Sequence, residues 1–148
     1  MTYFDTSALI KYFVVEKGSD LAQRLVQAHS PTATASITYA EIYSGLNRRK
    51  REGYISANQY ARVGRQFEEH WLSYIRIELI QEVLALAKVL LERYPLRALD
   101  AIHLASAISL QKGIQEPLQF AAADSRLLDA ASAERLSPLN IETAKFKK

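Results

Sequence analysis

Two hydrophobic periods alternate along this chain, one of about two residues and one of about 3.6, and the alternation predicts an α/β fold. Residues 2–4 (TYF) read as an opening strand. A helix then runs from Thr6 or Ser7 to about Val14, and Gly18 and Ser19 open a second one to His29. After Pro31 the small and β-branched run TATAS is a buried strand; Thr38 is placed to cap a helix to about Arg51, which Gly53 ends. Ser56 caps the next helix, whose apolar positions Tyr60, Val63, Phe67 and Trp71 share a face. A short strand over 75–77 precedes an amphipathic helix from Leu79 to Tyr94, with apolar positions Ile80, Val83, Leu84, Ala87, Leu90 and Leu91, stopped by Pro95. Asp100 opens a helix apolar on most faces through Leu110, with Gly113 as its C-cap. Strand LQFAAA, a helix from Asp124 to about Ala133, and an edge strand LSPLNI interrupted by Pro138 complete the pattern.

Set on those elements, four acids fall where a strand ends or a helix begins: Asp5, Glu41, Asp100 and Asp124. In an open α/β sheet the crevice lies outside the carboxyl ends of the strands, so side chains just past Phe4 and Ala123 point into it. Glu41 and Asp100, near helix starts, can close the ring. Each acid also has a purely structural reading. Asp5 and Asp124 suit N-caps, Thr38-x-x-Glu41 fits a capping box, and Asp100 is a favourable charge in a first helical turn. The set argues for an acidic pocket. Two carboxylates about 5 Å apart repel by roughly 1 to 3 kcal/mol, and four multiply the pairs. A hard divalent cation, Mg²⁺ or Mn²⁺, offsets that repulsion and leaves positions for water and phosphate.

Composition narrows the setting. At 148 residues the chain is expected to form one domain over 1–148, and 49% apolar with 24% charged residues is the balance of a globular protein with no membrane-spanning run. The absence of cysteine excludes disulfides, thiol nucleophiles and thiolate zinc sites. The opening MTYFD lacks the regions of a signal peptide, so cytoplasmic residence is the default. A net charge of +3 despite an acidic pocket means the cations elsewhere more than balance it. The densest run, Arg48, Arg49, Lys50 and Arg51, fits either a solvated helix end or a strip for a phosphate polymer, and the basic tail AKFKK reads as frayed. Among the histidines, His103 lies one turn after Asp100 and reads as a packed or partly exposed helix residue. Tyr39, Tyr43, Tyr54 and Tyr60 read as packing residues.

The chain resembles the PIN-domain family, and within it the VapC-like ribonuclease toxins of type II toxin–antitoxin systems. YFDTSALIKYF, SITYAEIYSGL, LRALDAIHLASA and AAADSRLLDAA carry the likeness, in the family's order and spacing. The resemblance implies a three-layer α/β/α sandwich with a mainly parallel central sheet. It assigns Asp5, Glu41, Asp100 and Asp124 to the acidic metal site, with Thr6 or Ser7 as a supporting hydroxyl. It further implies an Mg²⁺- or Mn²⁺-dependent endoribonuclease, a homodimer, and a small antitoxin that blocks the acidic groove. The chain departs from the family at Ala122, where Thr is frequent, and at Ser125 and Arg126, where another acid or amide often follows. Asp129, a full turn beyond Asp124, reads as surface.

The expected reaction is in-line attack on an RNA phosphodiester by a metal-bound hydroxide, with Asp5, Asp100 and Asp124 as direct or water-mediated ligands. Glu41 serves as a further ligand or as a water-orienting base, and the basic run supplies salt-dependent affinity for RNA. One alternative is a PIN-like module that binds RNA or protein without cutting. A haloacid-dehalogenase-like phosphotransferase is another, but it expects an Asp two residues after the first, where Ser7 stands.

Overall fold

The computed structural model describes residues 1–145; residues 146–148, within the basic tail, lie outside the described residues. The elements follow the order β1 (Thr2–Phe4), α1 (Thr6–Phe13), α2 (Ser19–Gln27), β2 (Thr32–Ala35), α3 (Thr38–Arg51), α4 (Ala57–Trp71), β3 (Ile75–Ile77), α5 (Gln81–Arg93), α6 (Ala98–Ile114), β4 (Gln119–Ala122), α7 (Ser125–Ala133) and β5 (Ser137–Asn140). The strands form one sheet in the order β3-β2-β1-β4-β5. All four pairings are parallel, so among the described residues the sheet is parallel throughout rather than mainly so. Pro138 is tolerated because β5 is an edge strand, where a missing N–H can face away from the ladder.

The three layers follow from the strand period. Tyr3 and Phe4 are both fully buried but point to opposite sides of the sheet, as successive strand residues must. Tyr3 joins Ala33, Ala35, Phe120 and Ala122 in a core covered by α5, α6 and α7. Phe4 joins Ala121 in a second core with Leu9, Ile42, Leu46 and Phe67, covered by α1 to α4. Helix α6 packs against the sheet through Ala101, Leu104, Ala105 and Ala107, all fully buried, and the three alanines let the helix sit close to β2 and to α5. That explains its nearly all-round apolar sequence.

Several local readings give way to tertiary contacts. Thr38 is not the N-cap of α3 but its first helical residue; its hydroxyl pairs with Thr34 Oγ1 at 2.7 Å in the buried core. Gly113 lies inside α6, and the chain turns instead at Gln115, which adopts the left-handed conformation (φ 55°) as C-cap. Helix α2 stops at Gln27, short of His29. By contrast, Ser56 forms a complete capping box with Gln59, each side chain bonding the other's backbone N–H.

Candidate active site

The chain builds β1, β2 and β3 outward in one direction and then returns to place β4 and β5 on the other side of β1. The topological switch point therefore lies between β1 and β4, and the loops leaving these two strands open a crevice at their carboxyl ends. Asp5 and Asp124 sit on these loops. The capping reading of both holds: Asp5 Oδ1 accepts from Ala8 N–H at 2.9 Å, and Asp124 Oδ1 accepts from Leu127 N–H at 3.0 Å. Capping occupies one oxygen of a carboxylate and so coexists with a role in a site. Ser7 ties the two loops together. Its hydroxyl donates to the Asp5 carboxylate (2.7 Å to Oδ1, 3.0 Å to Oδ2) and accepts from Ala123 N–H at 3.3 Å.

The capping-box reading of Glu41 does not hold. Its carboxylate turns away from the start of α3 and accepts from Thr6 Oγ1 at 2.8 Å on α1, while Oε1 also lies 2.8 Å from His103 Nε2 on α6. On the other side of the imidazole, Nδ1 meets the Tyr3 hydroxyl at 2.8 Å, and both Tyr3 and His103 are buried. Burial pushes the Glu41 carboxyl up, but the hydrogen bond and charge of His103, helped by Thr6, hold it below the usual glutamate range. His103 is a packed residue, as its sequence context suggests, yet its packing delivers a ring nitrogen directly to the acid.

Asp5 and Asp100 shift the other way. Asp5 is raised first by its burial, against the lowering influence of His103, Ser7 and Ala8 N–H, with the Asp100 charge adding to the rise. Asp100, in the first turn of α6, is raised by burial and by the charges of Asp124 and Glu41, while Arg97 opposes the shift. The four acids thus share one electrostatic field. Every donor in it is a hard carboxylate or hydroxyl oxygen, the chemistry a small divalent cation prefers. Among the described residues no three acids or histidines already stand in a closed ligand cluster.

Thr6, Ser7, Glu41, Asp100 and Ala123 line a groove of about 590 Å³, whose other walls carry Lys11, Glu16, Arg48, Arg49 and Arg97. Asp5 lies beneath it, 4% exposed, and Asp124 stands beside Ala123 and acts on Asp100 through its charge. The basic run does not act as a unit. Arg49 is committed to Glu16 at 3.1 Å and to Gly45 O at 3.0 Å, Lys50 lies 4.4 Å over the Tyr60 ring, and Arg51 is exposed at the helix end. Arg48, exposed, is the member of the run that faces the groove without an ion pair among the described residues. Lys11 is buried against Glu16 and Glu142, at 3.3 and 3.0 Å. The sequence reading did not single out Arg97, which stands on the opposite wall 3.7 Å from Asp100, or the pair Tyr3 and His103.

The model of the PIN domain matches residues 2–133 of the chain. The chain belongs to the PIN-domain family. Ribonuclease VapC45 of Mycobacterium tuberculosis is 30% identical over 145 residues, spanning 96% of this chain and 98% of that protein. Ribonuclease VapC46 of the same species is 33% identical over 130 residues, 87% and 88% of the two chains. A toxin–antitoxin complex from Klebsiella pneumoniae shares the fold with a TM-score of 0.66 at 20% identity, over 95% of this chain and 98% of that one. FitAcB from Neisseria gonorrhoeae also gives a TM-score of 0.66, at 15% identity over 97% and 100%. As a PIN domain the chain has its departures in distinct places. Ala122 is fully buried in the sheet core, whereas Ser125, Arg126 and Asp129 are exposed on α7. No helix among the described residues is long and apolar enough to cross a membrane.

Proposed function

We propose that this PIN domain is an Mg²⁺- or Mn²⁺-dependent endoribonuclease and the toxin of a type II toxin–antitoxin pair. The observation that carries the reading is the convergence of Asp5, Glu41, Asp100 and Asp124, from four separate segments, on the switch point of the sheet, with Asp5 and Asp100 raised in part by neighbouring carboxylates. The names of the Mycobacterium relatives as ribonucleases agree with it. In this reading Asp5, Asp100 and Asp124 hold the cation directly or through water, and Glu41 is either a fourth ligand or the group that orients the attacking water. Thr6 and Ser7 keep Glu41 and Asp5 in their rotamers. When bound, the cation supplies an acidified water and a counter-charge for the phosphate. Arg48 and Arg97, on facing walls, steer the RNA backbone across the acids. A small antitoxin covers the same groove, and two copies of the chain associate.

The test is cleavage of RNA with Mg²⁺ or Mn²⁺ by the wild type and by Asp5→Asn, Glu41→Gln, Asp100→Asn and Asp124→Asn. Each substitution should lower the rate at least about tenfold, roughly 1.4 kcal/mol in the barrier, with the fold retained. Full activity of Asp100→Asn would remove that residue from the site. A wild-type protein that binds RNA but cuts it under no divalent ion would instead be the inert binding module.

A further inference from the structure

A polar chain runs from the middle of the sheet to the edge of the groove: Tyr3 Oη, His103 Nδ1, His103 Nε2, Glu41 Oε1, with both links at 2.8 Å. Its inner two members are 0% and 2% exposed, so water cannot substitute for either contact. The proton positions follow from pairing rules. A carboxylate only accepts, so the ring must present Nε2–H to Glu41; in a neutral ring the Nδ1 lone pair is then left for the Tyr3 O–H to donate into. Both contacts are kept with the ring neutral or protonated; in the protonated ring Nδ1–H donates to Tyr3 Oη. Thr6 Oγ1 donates to the same Oε1, and no hydrogen bond among the described residues reaches Glu41 Oε2. Thr6 and His103, 35 and 62 residues from Glu41, thereby hold one oxygen and leave the other without a protein partner among the described residues.

We propose that His103, held in place by Tyr3, is a positioning residue for Glu41, orienting this carboxylate toward a divalent cation held by the acidic groove. The histidine touches neither substrate nor cation. It acts by restricting the glutamate to one rotamer through Oε1, with Oε2 left unbonded by the described residues before any ligand arrives, and outer partners of this kind are usually worth about 10- to 100-fold in metal affinity or activity. The inference rests on the proposed function only in taking Glu41 as part of the cation site.

Two measurements on the full chain test it: Mn²⁺ binding by calorimetry without RNA, and kcat and KM for RNA cleavage with saturating Mn²⁺. His103→Leu should weaken Mn²⁺ binding and lower kcat by about tenfold or more while KM for RNA stays within about twofold of wild type. His103→Gln, which can still donate an N–H to Glu41, should recover part of both, and Tyr3→Phe should fall between Gln and wild type. Leu90→Ala serves as the stability control. It opens a cavity in the α5 core and should lower the melting temperature without moving Mn²⁺ affinity. If His103→Leu and Tyr3→Phe are folded and match the wild type in both Mn²⁺ affinity and kcat, the proposal is wrong. If they lose only melting temperature, as the control does, it is equally wrong. A wild type that binds Mn²⁺ without cutting RNA, with His103→Leu weakening that binding, would overturn the nuclease reading and leave the positioning role standing.

Discussion

Replacing Arg48 and Arg97 together by Ala should flatten the salt dependence of RNA binding, whereas replacing Lys50 and Arg51 should not. The structure decides which cations count. Arg49 is neutralised by Glu16 at 3.1 Å, Lys50 is held on the Tyr60 face, and Arg51 does not line the groove. Arg48 and Arg97 line opposite walls; Arg97 is 86% exposed and shares its charge only weakly with Asp100 at 3.7 Å. Each phosphate contact to a single strand contributes about 0.7 to the slope of log affinity against log salt, so losing two lowers the slope by about 1.4. Raising salt from about 50 to about 200 mM should then cost the wild type about sevenfold more affinity than it costs the double variant. Fluorescence anisotropy of a labelled RNA in EDTA measures this without cleavage. Arg48→Ala alone should account for about half the change in slope. An unaltered slope in the double variant, or an equal loss in the Lys50 and Arg51 variant, would refute the placement of the RNA path.

The acids themselves should separate by sign in the metal-free protein. Asp100 is raised in the folded state, so the native protein holds its proton more tightly than the unfolded chain does, and the stability this gives below the ordinary aspartate pKa of 3.8 is lost as pH rises through the raised one. Asp100→Asn should therefore melt higher than wild type at neutral pH and match it at low pH. Glu41 is held below its ordinary 4.5; its stabilising contribution is complete above that value and is lost as pH falls through the lowered one. Glu41→Gln should thus melt lower than wild type at neutral pH, and thermal melts from pH 3 to 8 in EDTA would expose any departure from these opposite trends. Cleavage products should carry 5′-phosphate and 3′-hydroxyl ends by end-labelling and mass spectrometry; a 2′,3′-cyclic phosphate as the first product would mean attack by the ribose instead of by water.

Short-range chemistry was readable along the chain. The box of Ser56 and Gln59, the strand TATA, the caps Asp5 and Asp124, and the buried face of Val63 and Phe67 all appear where their local pattern puts them, because caps and helical or strand periods are decided within a few residues. The resemblance of four motifs added the family, and with it the expectation of a three-layer sandwich. What the residues alone could not decide depended on partners far away in the chain. Thr38-x-x-Glu41 satisfies a capping box on paper, yet Thr38 lies inside the helix with its hydroxyl on Thr34, and Glu41 bonds Thr6 and His103, 35 and 62 residues distant. The basic run reads as one patch of charge, but a helix fans successive side chains around its axis, sending Arg49 to Glu16, Lys50 to Tyr60 and Arg48 to the groove. Tyr3 looks like any strand aromatic until α6 packs on the same face of the sheet and its hydroxyl meets His103. A local pattern states what each residue can do, and only the packed sheet and helices decide which neighbour it does it with.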